Sequence, residues 1–172
     1  MNYTYIEKDS ESNGEGFRVV LWVSGCTIGC KGCHNKELWS FDNGKVFDLA
    51  AKAEIFNYLS KEYIDGLTLS GGHPLESKNI SSILQLVKEV KEKFPLKTIW
   101  LYTGLTLTID DFKYELGNIE LSLLLDYIDV VVDGPYIESL RDITLPYRGS
   151  TNQRLIDVKK TKELGVISLW QQ

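Results

Sequence analysis

Three thiols carry the chemistry most readily seen in this sequence. Cys26-Thr-Ile-Gly-Cys30-Lys-Gly-Cys33 holds every cysteine of the chain in one short stretch. An odd, tightly clustered set is a poor disulfide framework and points to metal or redox work. At helical spacing the three sulfurs fall near one stripe, so a buried helix face is one reading of the pattern. Gly25, Gly29 and Gly32 oppose it, because each glycine costs about 1 kcal/mol in a helix relative to alanine. A loop wrapped around a ligand is the better expectation. Three thiolates suit an iron–sulfur cluster, whose sulfurs accept hydrogen bonds from amides that glycine allows to approach. Three cysteines on a four-iron cluster leave one iron open to substrate, so catalysis is the natural inference.

Two other metal chemistries compete for the same residues. Cys30-Lys-Gly-Cys33-His34 matches the Cys-x-x-Cys-His pattern of covalent haem attachment. Its context is wrong, because Met1 is the only methionine, His73 the only other histidine, and no export signal is visible. Alternatively, Cys26, Cys30, Cys33 and His34 form a Cys3His zinc set. Adjacent Cys33 and His34 count against that, since neighbouring side chains rarely converge on one tetrahedral ion. A non-catalytic, zinc-holding module is the alternative from a different functional class.

The elements that must position these thiols alternate between strand and helix. Residues 17–23 are β-branched and aromatic and end at Ser24-Gly25. Asp48 is a plausible N-cap for a helix to about residue 62, with Ala51, Ile55 and Leu59 on one stripe. A second strand is expected at 67–69. The clearest helical periodicity follows, through Ile80, Ile83, Leu84, Val87, Val90 and Phe94. Strands are expected at 98–102 and 128–132, a weaker helix near 110–125, and a fifth strand at 153–158. This order implies right-handed crossovers and a largely parallel sheet. A closed eight-fold barrel needs about 250 residues, so this chain makes part of one, or an open sheet. Four strands end in Ser24-Gly25-Cys26, Ser70-Gly71-Gly72, Thr103-Gly104 and Asp133-Gly134. Ligands bind at the carboxyl ends of such strands, so these tips are expected to line one site.

Composition narrows the classes. The 172 residues are expected to form one domain over 1–172. Ordinary globular usage, 43% hydrophobic and 25% charged, excludes disorder and collagen-like structure. A net charge of -5 argues against nucleic acid as a partner. No secretory pattern and no apolar run of membrane-spanning length are visible, so a cytoplasmic protein without a membrane partner is expected.

Cys-x3-Cys-x2-Cys after a first strand resembles the signature of radical S-adenosylmethionine enzymes. Ser70-Gly71-Gly72-His73-Pro74 is similar to their second motif, two glycines, an acid and a proline, with His73 replacing the acid. The resemblance implies that this segment holds the methionine amino group largely through backbone, which carries Gly72 over. Cys33-His34-Asn35 resembles the activases of glycyl-radical enzymes, in which this stretch also packs on adenine. Gly32, Cys33 and His34 are those positions. The likeness to the activases of anaerobic ribonucleoside-triphosphate reductases extends through Asn13-Gly-Glu-Gly16, Ile99-Trp-Leu-Tyr-Thr-Gly104, Asp129-Val-Val-Val-Asp-Gly134 and Arg148-Gly-Ser-Thr-Asn-Gln-Arg154. Pyruvate formate-lyase activase and carboxydeazaguanine synthase are the runners-up.

From this resemblance follows a set of expectations. The fold is an α/β, partial (incomplete) parallel β/α barrel of the radical S-adenosylmethionine type. Cys26, Cys30 and Cys33 are the metal ligands and catalytic residues of a 4Fe-4S cluster. Gly32, Cys33, His34, Gly71, Gly72, Thr103 and Asp133 contact S-adenosylmethionine. The partners are the glycine-bearing C-terminal region of the reductase large subunit and a low-potential electron donor such as flavodoxin. The reaction is reductive cleavage of S-adenosylmethionine, followed by hydrogen abstraction from one glycine of the reductase.

Overall fold

The structure is a computed structural model and describes residues 1–114 and 119–171. Seven strands form one mixed sheet: β1 (Asn2–Ser10), β2 (Arg18–Val23), β3 (Lys45–Val46), β4 (Gly66–Gly71), β5 (Thr98–Tyr102), β6 (Val130–Asp133) and β7 (Arg154–Asp157). Their order is β3-β1-β2-β4-β5-β6-β7, and the sheet is open. Strands β2, β4, β5 and β6 run parallel in the centre. Antiparallel β1 and β3 flank them on one side and antiparallel β7 on the other.

The expected largely parallel sheet, part of a parallel barrel, is thereby corrected to an open mixed sheet with a parallel centre and antiparallel edges. The strand expected at 153–158 exists as β7, but it runs antiparallel to β6, with Asp133 opposite Arg154. Strand β1 was not anticipated, and its burial explains why. Tyr3, Ile6 and Ser10 are the buried positions, spaced by three and four where a regular strand would alternate by two. Register shifts between Tyr3 and Tyr5 and between Glu7 and Ser10 produce that spacing.

The helices pack on one face. Helix α1 (Leu49–Leu59) starts where Asp48 accepts from the Ala51 amide at 2.9 Å, and it stops three residues short of the expected end. It buries Ala51, Ile55 and Leu59, the anticipated stripe. Helix α2 (Ile80–Lys93) buries Ile80, Ile83, Leu86, Val87 and Val90. The weaker helix expected near 110–125 is a 3-10 turn over Ile109–Phe112 followed by α3 (Ile119–Leu125). Residues 115–118 of that expectation lie outside the described residues. Helix α4 (Val158–Leu164) follows β7, capped by Asp157 and closed by Gly165 in a left-handed conformation. Against these helices the sheet presents Val19, Leu21, Val23, Leu67, Leu69, Ile99, Leu101 and Val131 as one apolar core.

Alternation sends Arg18, Trp22, Thr68, Ser70, Trp100 and Tyr102 to the opposite face. Arg18 is fully buried there and ties three strands together. Its guanidinium donates to Thr68 Oγ1 at 2.7 Å, Leu67 O at 2.9 Å, Thr98 O and Oγ1 at 2.9 Å, and Glu15 O at 3.0 Å. The Trp100 ring lies 5.4 Å from it. Burial pulls this guanidinium down to about 10, so it keeps its charge at neutral pH. Truncation would leave the Thr98 and Leu67 carbonyls and a cavity behind. Arg18→Ala is expected to lose about 3 kcal/mol of unfolding free energy, read from urea denaturation. A midpoint unchanged from the parent would contradict this account.

Candidate functional site

The four parallel strands end along one edge, at Val23, Gly71, Tyr102 and Asp133. From Val23 the chain enters the thiol loop, and backbone contacts stitch that loop to its neighbours. Gly72 donates its amide to Val23 O and His73 donates to Gly25 O, each at 2.8 Å. Gly25 donates to Leu38 O at 2.8 Å and Cys26 to Trp39 O at 3.1 Å. At Gly72 this closeness forbids a side chain: a Cβ would sit 2.6 Å from Gly25 O and 2.9 Å from Leu38 O. The loop is not a helix, since Gly29 and Gly32 have φ of +67° and +77°.

All three thiols are free and partly exposed. Burial raises the Cys26 thiol above its ordinary value, while the amides of Ile28 and Gly29 beside its sulfur pull the other way. Asn35 donates its amide to Cys33 Sγ at 3.4 Å. N–H groups aimed at sulfur suit thiolates that ligate a cluster. A single zinc ion would require four donors drawn to about 2.0–2.3 Å. His34 instead sets its ring 5.3 Å from that of Tyr136. The donor set and its amides therefore fit an iron–sulfur cluster better than the Cys3His site.

Below the loop lies a polar clamp. Glu76 Oε1 accepts from the Thr27 amide at 2.7 Å and from the Thr27 hydroxyl at 2.8 Å. His73 Nδ1 is 3.3 Å from the same oxygen, and its Nε2 is 2.8 Å from Thr103 Oγ1. Burial lowers the His73 imidazole below its ordinary value and outweighs the pull of Glu76, so the ring is neutral at pH 7. A carboxylate can only accept, so Nδ1 carries the proton and Nε2 accepts from Thr103. For Glu76 burial acts to raise the carboxyl, but hydrogen bonds from Thr27 and His73 win and hold it below the usual range.

Two adjoining clefts open beside the loop. The larger, about 570 Å³, is lined by Cys33, His34, Trp22 and Arg148 among others. The smaller, about 130 Å³, is lined by Gly71, Gly72, Thr103, Gly104 and Gly134. Asn35, Ser70, Tyr102, Tyr136 and Gln153 line both, so the two are continuous. Cys33 and His34 line the larger cleft, and Gly71, Gly72 and Thr103 the smaller one beside it. Gly32 packs near the Glu138 side chain, with Cβ space limited to 3.0 Å. Cys26 and Cys30 line neither cleft. The Asp133 carboxylate is fully buried and lines neither cleft: Arg154 and the Leu107 amide take it up. Its place at the strand tip is taken by Gly134, whose carbonyl accepts from Gln153 Nε2 at 3.1 Å.

Glu76, Asn35, Tyr102, Tyr136 and Gln153 were not anticipated as site residues. Only Glu76 left a usable signal, an acid three residues beyond a histidine that stands where an acid is expected.

An α/β sheet carrying a three-thiol, amide-lined loop at the carboxyl edge of its parallel strands defines an iron–sulfur protein. The family described as a 4Fe-4S single cluster domain matches residues 12–156. The chain is 44% identical over 155 residues to the anaerobic ribonucleoside-triphosphate reductase-activating protein of Enterobacteria phage T4, covering 90% of this chain and 93% of that one. The proteins of the same name from Haemophilus influenzae and Escherichia coli K12 are 42% and 38% identical, each match covering 89% of this chain and 96% of the relative. The chain belongs to the family of anaerobic ribonucleoside-triphosphate reductase-activating proteins.

The clamp yields a direct test. Glu76→Ala removes the acceptor of both Thr27 groups and is expected to cost about 1–2 kcal/mol, with faster hydrogen exchange at the Thr27 amide. Glu76→Gln keeps an acceptor oxygen and should recover most of both. Unchanged Thr27 exchange in the alanine variant would show that the carboxylate does not hold the loop.

Proposed function

We propose that this chain is a radical S-adenosylmethionine activase that installs a glycyl radical on an anaerobic ribonucleoside-triphosphate reductase. The observation that carries this reading is the juxtaposition of the thiol loop with the side-chain-free tip at Gly71 and Gly72, across one continuous cleft. The names of the relatives support the choice of reductase. When bound, a 4Fe-4S cluster supplies the electron that cleaves S-adenosylmethionine, whose 5′-deoxyadenosyl fragment then takes a hydrogen atom from a glycine of the partner.

The remaining work belongs to the chain's own residues. Cys26, Cys30 and Cys33 hold the cluster as thiolates. Gly71 and Gly72 let the β4 backbone approach the aminoacyl end of S-adenosylmethionine, beside Thr103. His34, with Gly32 and Cys33, packs against the adenine, and the tilted ring of Tyr136 backs His34. Asp133 contributes by fixing the β6 tip through Arg154. In this reading the open sheet is a partial barrel making one domain over 1–172, whose unclosed side admits a macromolecular segment. The working compartment is the cytoplasm, where a low-potential donor such as flavodoxin would reduce the cluster. No helix among the described residues is long and apolar enough to cross a membrane.

Anaerobic reconstitution with iron and sulfide is expected to give a brown protein with about four iron per chain. Cys26→Ala, Cys30→Ala and Cys33→Ala should each lose the cluster, since no spare cysteine exists. With S-adenosylmethionine, a reductant and the cognate reductase, electron paramagnetic resonance should show a glycyl doublet. A colourless protein holding zinc, or a doublet only on pyruvate formate-lyase, would overturn the reading.

A further inference from the structure

The larger cleft has an unusual charge. The chain carries 24 acidic and 19 basic residues, yet no Asp or Glu lines this cleft. Its one permanent cation is Arg148. The Nε of that side chain is buried without a hydrogen-bond partner, and the guanidinium makes no ion pair among the described residues. Contrast the other two arginines of this face: Arg18 spends its donors on carbonyls and hydroxyls, and Arg154 pairs with Asp133. The buried Nε donor has lost water and gained no partner, while the terminal nitrogens stay open to the cleft. An anion reaching that fork would satisfy both.

Arg148 is also held in place for that task. The next residue, Gly149, donates its amide to Gln153 Oε1 at 2.9 Å, and Ser150 donates to the same oxygen at 3.2 Å. Gln153 in turn grips Gly134 O at the β6 tip. The preceding Tyr147 carbonyl accepts from Tyr102 Oη at 2.6 Å, which anchors the segment to β5. The backbone around the arginine is therefore tied to two strand tips that line the cleft, which fixes where the fork can reach.

We infer that Arg148 is a binding residue for a carboxylate, and that this carboxylate is the aminoacyl one of S-adenosylmethionine. The inference rests on the proposed function above, which puts that molecule in the cleft shared by Arg148, Cys33 and His34. The carboxylate is the only anionic group S-adenosylmethionine has. A planar fork of donors matches it two bonds at a time, which an ammonium cannot do. Arg148 thereby selects for ligands that keep the amino-acid end, and rejects adenosyl thioethers that lack it.

The test compares three probes by calorimetric titration of the anaerobically reconstituted full chain: S-adenosylhomocysteine, its decarboxylated analogue, and 5′-methylthioadenosine. In the parent, S-adenosylhomocysteine should bind roughly 10- to 100-fold tighter than the decarboxylated analogue, the span of a charged hydrogen-bonded pair. Arg148→Gln should narrow that gap by about tenfold, the share of one charged hydrogen-bonded pair, and Arg148→Lys should restore part of it. Affinity for 5′-methylthioadenosine should not change in either variant, which reports an intact adenosyl site. If the gap persists in Arg148→Gln while all three probes bind, Arg148 does not hold this carboxylate, and the cation belongs to recognition of the partner protein. If none of the three binds the reconstituted parent, it is the proposed function that fails.

Discussion

The close approach of two backbones, at Gly72 and Gly25, is the constraint around which the site is arranged. Because no Cβ intervenes, the β4 tip can donate from Gly72 and His73 into the carbonyls of Val23 and Gly25. Those two bonds continue the parallel ladder of β2 and β4 past the last paired residues, Val23 and Gly71. The thiol loop is therefore an extension of the sheet at its root and leaves it only after Cys26, which is itself tied to Trp39 O. A loop anchored at its first cysteine, with glycines between the later ones, can adjust Cys30 and Cys33 around a ligand without moving its base.

The two faces of the sheet divide labour. One face is apolar and covered by helices, so hydrophobic burial holds the strands in register. The other face carries Arg18, Thr68, Ser70 and Tyr102, and its amino end is filled by the Arg18 network. Toward the carboxyl end the same face meets the 145–149 segment, and the cleft opens between them. A sheet plugged at one end and open at the other gives a ligand a floor of backbone glycines and a wall of aromatic rings. This also explains why antiparallel β7 matters: it brings Arg154 against Asp133, and the turn before it brings Arg148 and Gln153 over the β6 tip.

Much of this was legible in the sequence, and the gaps have physical causes. Buried parallel strands are continuous apolar runs, so β2, β4, β5 and β6 stand out, as do α1 with its Asp48 cap and α2 with its stripe. Strand direction leaves no periodicity, so β7 could be found but not oriented. Strand β1 escaped because its bulges replace alternation with a spacing that fits no template. In the site, residue type and spacing revealed the thiols and the glycine tips. Asp133 was legible as a strand end, but not the use of its side chain, because its partner Arg154 is 21 residues away and declares nothing locally. Pairings of that kind are made by topology, and a linear pattern does not contain them.

The histidine at position 73, where the motif it resembles has an acid, shows how such a pairing sets the charge at a strand tip. An acid at the β4 tip would put a negative charge where His73 is 4% exposed and where burial already opposes ionisation of the imidazole. Here the buried position holds a neutral ring, able to accept from Thr103 and donate to Glu76, and the carboxylate stands three residues further on, across a turn. At that position it is still largely covered, but it gains the Thr27 amide and hydroxyl, two donors that hold it ionised against burial. The negative charge thus lies at the underside of the thiol loop, and the β4 tip carries none. Its cost is that Glu76 joins burial in raising the Cys26 thiol. Its gain is that one carboxylate now joins the loop of β2 to the tips of β4 and β5, through Thr27 on one side and His73 with Thr103 on the other.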